Sequence, residues 1–380
     1  MENEGKMTFI VQLPADFPLT DLQQIALMLE KADVFVPGYI PPEVGMYHLM
    51  SHFYGSMVDN VNLILLPDRN IVSRLAKAIT GCKADDQQRL AAAVLAFAQC
   101  LDIQIEPSIA YHELGPAQGN VSAYEELTKF RLADKSHPSA WIDLALARCD
   151  SIASLSDLSA VADNRDLTRP LHRWRCNYIA ALKIGELELL PLSPLQRTLK
   201  FFEWMHDDFI LAGPAAIFAC HYFAPNYPRK RLFKGLKSEH RERALDGAAN
   251  AAWDITHLSE FVRQANDAHG SNTRFVFASL DEGLRRIART LFTATIEDPA
   301  LDRLAATLTA WWPIGQARTI VDCLSDFFQR GRDPAWYEQQ RNSPNAIPDF
   351  IAQGEARLRA WSPMIAGSAG ESTSRASTQI

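Results

Sequence analysis

Apolar positions recur with two different periods along this chain, and the two periods alternate. In residues 18–32 the side chains of Leu22, Ile25 and Leu29 recur at helical spacing, which predicts an amphipathic helix. Short apolar or alternating runs predict strands, and they read TFIVQL, VFVP, NLILLP, LDIQIE and RFVFAS. Helical patterns follow most of these runs, so the sequence predicts an α/β fold with a mostly parallel central sheet.

The residues between about 115 and 245 show helical patterns and little strand character. We therefore predict an α/β core that is interrupted by a long all-helical insertion. The tail is rich in Ser, Gly and Thr, a composition that favours disorder. The predicted organisation is an N-terminal extension at 1–60, the core at 61–114 and 246–297, the insertion at 115–245, C-terminal helices at 298–361 and a disordered tail at 362–380.

Composition narrows the class of protein. The chain has 380 residues, 47% of them hydrophobic, which predicts a globular protein with a sizeable core. Its formal net charge of −7 argues against non-specific coating of nucleic acid. The six cysteines are scattered without a C-x-x-C motif, the first residues do not form a secretory signal, and no apolar run approaches the roughly 20 residues that span a bilayer. We expect a cytoplasmic protein with reduced cysteines and no membrane contact.

Acidic residues follow two predicted strands at their carboxyl ends, where parallel sheets collect ligands. Asp68 ends NLILLP, and Asp281 follows RFVFAS. Asp254 lies in the apolar helical segment AANAAWDITHL, where a carboxylate is not expected without a partner. Glu113, in PSIAYHEL, is a fourth candidate, and Glu106 at the end of DIQIE competes with it.

Metal binding is the physical reason to group these carboxylates. Crowded carboxylates repel one another, and a divalent cation removes that cost. Mg²⁺ and Mn²⁺ prefer oxygen ligands, and such an ion activates water and stabilises charge on a phosphate. Asn70, two residues after Asp68, could orient a ligand or a water. The alternative for Asp68 and for Asp281 is an ordinary N-cap, since each stands at a strand-to-helix junction.

Four segments resemble, in order, the motifs of PIN-domain nucleases. LLPDRNIVSRL resembles the opening motif, PSIAYHEL the second element, NAAWDITHLSEF the third and FVFASLDEGL the last. The resemblance covers roughly 60–115 and 245–297. It implies a PIN-like three-layer fold and a metal-dependent endoribonuclease that hydrolyses RNA phosphodiester bonds. By this resemblance Mg²⁺ or Mn²⁺ is held by Asp68, Glu113, Asp254 and Asp281, which also form the catalytic set.

A basic stretch precedes the Asp254 segment in this acidic protein. Tyr227 and Phe233 are interleaved with its cations, an arrangement that suits phosphate contacts to RNA. The alternative is a solvated charged face, which charge runs usually form. The candidate nucleic-acid-binding residues are Arg229, Lys230, Arg231, Lys234, Lys237 and Arg241.

Two other functions compete with the nuclease. The chain could be a non-catalytic scaffold or interaction protein whose helical block binds a partner. That partner could be another protein or a second copy of this chain. It could also be an HD-type phosphohydrolase, because His172, the His206–Asp207 pair and Asp246 occur in the ligand order of that class. This order arises easily by chance over a long helical block.

Overall fold

The structure is a computed structural model, and it describes residues 10–40, 45–153, 165–228, 232–293, 300–331, 333–341 and 346–362. The chain divides into two compact units. The sheet unit consists of Met1–Arg169 and Arg263–Arg285, and the helical unit consists of Pro170–Val262 and Arg286–Ile380. Each unit is therefore built from two separate stretches of chain.

The sheet unit contains a four-stranded sheet in the order β1-β4-β2-β3. Its central strands β2 and β4 are parallel, and Asn62 to Pro67 pair with Thr273 to Ala278. Strand β3 is parallel to β2, and β1 is antiparallel to β4. The strands are β1 (Phe35–Pro37), β2 (Asn62–Pro67), β3 (Gln104–Ile105) and β4 (Thr273–Ala278). The carboxyl ends of three parallel strands therefore lie at one edge, as the α/β prediction requires.

Seven complete helices belong to the same unit as this sheet in the ranges that the structure describes. Asp85 caps α4 through a capping box with Gln88, and the Ala-rich α4 buries every residue from Ala91 to Ala98. Such small side chains let neighbouring helices approach closely, and α1, α3 and α7 all contact α4. The helices are α1 (Leu19–Ala32), α2 (Leu49–Met57), α3 (Arg69–Ala78), α4 (Asp86–Cys100), α5 (Ser108–Gln118), α6 (Asn120–Lys135) and α7 (Pro138–Ala145).

The helical unit is built from helix pairs. Helix α8 packs on α16, and α9 packs on both α10 and α14. Helix α10 buries every residue from Ala215 to Phe223, so it is the central helix of this unit. The helices are α8 (His172–Leu189), α9 (Pro194–Asp207), α10 (Gly213–Phe223), α11 (Glu242–Asp267), α12 (Glu282–Thr293), α13 (Ala300–Leu308), α14 (Ile314–Arg330), α15 (Pro334–Arg341) and α16 (Ile347–Ala360). The last residues of α11 and the first of α12 belong to the sheet unit.

The expected α/β class and four of the five expected strands are confirmed. The fifth expected strand, at 8–13, is wrong for residues 10–13, which have no regular structure, and its first two residues lie outside the described parts. The unit boundaries also differ from the predicted domain boundaries, because α6 and α7 belong to the sheet unit. Helix α6 packs on α3 and α5, and it buries Leu127 and Phe130. The predicted tail, apart from residue 362, lies outside the described residues.

Glycine at position 115 sets the position of α5. A Cβ atom at Gly115 would lie 2.2 Å from the backbone oxygen of Leu167, far inside van der Waals contact. The helix can approach this segment only because residue 115 has no side chain. Glu113 lies two residues earlier on α5, so the position of its backbone depends on the same close approach.

We predict that Gly115→Ala lowers the free energy of unfolding by about 1–3 kcal/mol, because the added methyl group overpacks this contact. Urea denaturation followed by tryptophan fluorescence measures the change. The matched control is Gly55→Ala in α2, where the nearest atom to a Cβ is 4.0 Å away. The control should be neutral or up to about 1 kcal/mol more stable. Equal stability of the two variants would contradict the close approach.

Candidate functional site

Asp68 occupies the junction between β2 and α3. Its extended backbone places it at the N-cap position of α3, but its side chain makes no capping hydrogen bond. Instead its Oδ2 atom accepts hydrogen bonds from the Ser279 hydroxyl at 2.7 Å and from the Asn70 side-chain amide at 2.5 Å. Asp68 is only 6% exposed. The capping alternative for Asp68 is therefore wrong, because its carboxylate accepts from two side chains and from no backbone N–H group at the start of α3.

Asn70 and Ser279 extend this contact into a network. The Asn70 Oδ1 atom accepts a hydrogen bond from the Leu280 backbone N–H at 3.1 Å. The Ser279 Oγ atom accepts one from the Asp281 N–H at 3.0 Å. The β2–α3 and β4–α12 junctions are thus bonded to each other through side chains as well as through the sheet. Asn70 therefore holds the Asp68 carboxylate in place, and its expected role in orienting a ligand or a water stays a prediction.

Glu113 lies close to Asp68. A carboxylate oxygen of Glu113 on α5 lies within 4.8 Å of one of Asp68. Glu106, the competing candidate, uses its Oε1 atom to accept the backbone N–H of Ser108 at 2.9 Å and so caps the start of α5. Of the two glutamates that competed for the second acidic position, Glu113 lies beside Asp68 and Glu106 caps a helix.

Asp281 has the capping role. Its Oδ1 atom accepts the backbone N–H groups of Gly283 at 2.8 Å and Leu284 at 3.2 Å, at the start of α12. Among the described residues of the sheet unit, Asp281 does not join Asp68 and Glu113 as a third ligand at the same close spacing. Of the two strand-to-helix carboxylates, one is a helix cap and the other is not, and the sequence pattern around them did not distinguish the two.

Asp254 lies on α11 in the helical unit, where its side chain is half-buried. His257 follows one turn later and is only 5% exposed. Residues three apart share a helix face, so Asp254 and His257 form one acidic and imidazole face within α11. His257 is not among the residues that the sequence pattern singled out. The signal that could have found it is this spacing in an otherwise apolar helix.

An ion pair stands beside Asp68. The guanidinium of Arg69 on α3 binds both carboxylate oxygens of Glu126 on α6, and both side chains are largely buried. Burial, followed by the charge of Glu126, raises the pKa of Tyr111, so this phenol stays protonated. The pair joins α6 to α3.

The basic stretch divides into three parts. Arg229, Lys230 and Arg231 lie outside the described residues. Lys234 and Lys237 are exposed. Their role as RNA contacts stays a prediction.

Arg241 has a structural role within the basic stretch. Its guanidinium donates to the backbone oxygens of Leu236, Ser238 and Leu358, each at 2.8 Å, and lies over the ring of Trp361. Burial lowers its pKa. Its Nε and Nη1 atoms therefore bind the protein backbone, and its role as an RNA contact stays a prediction.

The HD-type ligand set is not assembled in the described parts of the helical unit. His206 bonds to Asp207 through Nδ1 at 2.6 Å, and its ring stacks on Trp336. His172 and Asp246 are exposed, and no group of close ligand atoms contains these four residues. The order of these four residues in the sequence therefore does not correspond to a shared ligand site among the described residues.

No protein-family model, curated protein or solved structure matches the chain. None of the helices in the described ranges combines the length and the apolar character needed to cross a bilayer. The geometry around Asp68 is therefore the main indication of function.

We predict that Ser279→Ala lowers the free energy of unfolding by about 1–3 kcal/mol, because the buried Asp68 carboxylate loses a hydrogen-bond donor that water cannot replace. The control is Ser56→Ala at an exposed position, which should change stability by less than about 0.5 kcal/mol. Urea denaturation measures both. A Ser279→Ala variant as stable as the control would show that this hydrogen bond does not hold the junctions together.

Proposed function

We propose that the chain is a metal-dependent endoribonuclease whose Mg²⁺ or Mn²⁺ ion is held by Asp68 and Glu113. The observation that carries the proposal is the approach of these two carboxylates to within 4.8 Å at the carboxyl ends of parallel strands. Open α/β sheets bind ligands at this edge. Oxygen atoms of two carboxylates are the ligand type that both ions prefer.

Repulsion between the two carboxylates supports a cation at this position. Two like charges a few ångströms apart in a partly buried place destabilise each other. A divalent ion between the two carboxylates would stabilise both negative charges. When bound, it would activate water and stabilise the phosphate in phosphodiester hydrolysis.

The PIN-like character of the chain forms part of this proposal. It is supported by the order of the four sequence motifs and by the parallel pairing of β2 with β4, which carry the first and last motifs. From the third motif we propose Asp254 as a further acidic contributor. Because Asp281 caps α12, we propose that its carboxylate supports the β4–α12 junction and is not a ligand.

RNA is the proposed substrate because its phosphates match the chemistry of a divalent ion, and because exposed cations such as Lys234 and Lys237 could bind its backbone. Neutralising a few phosphates would bring the polyanion to a protein of net negative charge. If the chain were instead a non-catalytic interaction protein, partner binding would require neither a metal ion nor the negative charge of Asp68.

Two measurements test the proposal: Mn²⁺ binding by electron paramagnetic resonance, and cleavage of RNA with Mg²⁺ or Mn²⁺. We predict that Asp68→Asn and Glu113→Gln each reduce Mn²⁺ affinity and cleavage by at least about tenfold, since loss of even a supporting residue costs that much in metal sites. Each variant keeps side-chain volume and removes one charge.

The matched controls are Glu106→Gln and Asp281→Asn, which remove a carboxylate from neighbouring positions. Asn is as good an N-cap as Asp, so Asp281→Asn keeps the start of α12. Both controls should retain Mn²⁺ binding and cleavage. Cleavage by Asp68→Asn at the rate of the parent would refute the proposed role of Asp68, and a parent that binds no Mn²⁺ would favour the interaction protein.

A further inference from the structure

A second cavity of the sheet unit, of about 790 Å³, lies between α2 and the edge of the sheet where β2 and β3 begin. This volume falls within the range of small-molecule sites. Asn62, the first residue of β2, lines the cavity, whereas Asp68 follows the last residue of that strand. The cavity and the proposed metal site therefore lie at opposite ends of β2, and neither Asp68 nor Glu113 contributes to the cavity lining.

More of the cavity surface is apolar than polar, and a ligand can reach it from solvent. Met50 and Tyr54 on α2 line the cavity and are 44% and 42% exposed. Leu63 of β2 and Ile103, directly before β3, are half-buried and add aliphatic surface from the sheet. Met46 is a second thioether in the lining. Methionine side chains adapt to the shape of a ligand and make favourable contacts with aromatic rings, so this lining suits an aromatic body.

The fixed charges in the described lining are mainly negative. Asp59 and Asp102 supply two exposed carboxylates, and Arg274 supplies one guanidinium. The Nη1 atom of Arg274 already donates to the backbone oxygens of Ser271 and Thr273. A positively charged ligand is therefore attracted to this cavity more strongly than an anion of the same shape.

The strand pairing explains why both carboxylates lie at the same cavity. Ile64 of β2 pairs with Gln104 of β3, and the two strands are parallel. Asp59 lies three residues before the start of β2, and Asp102 lies two residues before the start of β3. Because parallel neighbours begin at the same edge of a sheet, the turns that carry the two carboxylates meet at this edge.

His52 lines the cavity without offsetting these negative charges. Its Nε2 atom donates to the backbone oxygen of Met46 at 2.9 Å, and its ring meets the ring of Phe97 edge to face. Burial lowers the pKa of His52, so the imidazole is neutral at pH 7. A neutral ring that donates at Nε2 is an acceptor at Nδ1, which matches a ligand with N–H groups.

We infer that this cavity binds an organic cation in which a short aliphatic chain joins an aromatic ring to a protonated amine. The ring would contact the apolar lining, and the ammonium group would pair with Asp59 or Asp102. The face of an aromatic ring such as that of Tyr54 also attracts an ammonium group. Such a ligand requires neither a metal ion nor RNA, so the inference goes beyond the proposed nuclease function and is tested separately from it.

Isothermal titration calorimetry of the full chain at pH 7, in buffer with EDTA, tests the inference with three ligands. Tryptamine combines an indole ring with an ammonium group. Indole-3-propionate carries a carboxylate on the same ring, and ethylamine has the ammonium group without the ring. We expect tryptamine to bind at one site and the other two ligands to bind at least about tenfold more weakly, because each lacks one of the two contacts.

The double variant Asp59→Asn/Asp102→Asn tests the charge contact. It should weaken tryptamine binding by about tenfold, since both candidate partners of the ammonium group lose their charge. Asp102 has a left-handed backbone (φ 52°), which asparagine also tolerates. The matched control is Asp16→Asn/Asp33→Asn, which removes two exposed carboxylates of the same unit that do not line the cavity, one of them also left-handed (φ 53° at Asp33). The control should bind tryptamine like the parent.

Met50→Gln tests the apolar contact, because glutamine has a similar length and helix propensity but a polar end. It should weaken tryptamine binding by about threefold, since part of the apolar contact with the ring is lost. The control is Leu27→Gln at an exposed position of α1 outside the cavity, which should leave binding unchanged. The inference would be overturned by a parent that does not bind tryptamine, by indole-3-propionate binding as tightly as tryptamine, or by parent-like affinity in the Asp59→Asn/Asp102→Asn or Met50→Gln variant.

Discussion

The hydrogen bond from the Ser279 hydroxyl to the Asp68 carboxylate joins two strand ends that are 211 residues apart in the chain. The position of the Asp68 carboxylate depends on this bond. The bond holds the Asp68 carboxylate toward the end of β4, and the carboxylate caps none of the backbone N–H groups of α3. The side-chain amide of Asn70 is a second donor to the same oxygen. A junction that would otherwise be an ordinary helix start therefore presents a buried acceptor at the carboxyl edge of the sheet.

The position of Glu113 turns this acceptor into a pair of carboxylates. Helix α5 follows β3, is capped by Glu106 and approaches Leu167 closely because residue 115 is glycine. These local features bring the Glu113 carboxylate to within 4.8 Å of Asp68. Two carboxylates at this spacing form an oxygen-rich group of the kind that binds divalent cations.

The sequence was sufficient for the parts of the fold that depend on local patterns. Apolar runs identified the strands that end at Asp68 and Asp281, because a buried strand needs a continuous apolar stretch. The sequence could not show which of these two aspartates caps its helix, since both stand at the same kind of junction. Ser279 was not selected either: a serine at the end of a strand is common, and its role depends on pairing with a strand over 200 residues away.

The central claim is that Asp68 and Glu113 together bind a divalent cation. Crystals soaked in Mn²⁺ test it most directly, because anomalous scattering identifies the ion and its position independently of any activity. The account predicts an anomalous peak about 2.0–2.6 Å from an oxygen of each residue. Crystals that bind Mn²⁺ elsewhere, or that show no peak beside these two carboxylates at saturating Mn²⁺, would contradict it.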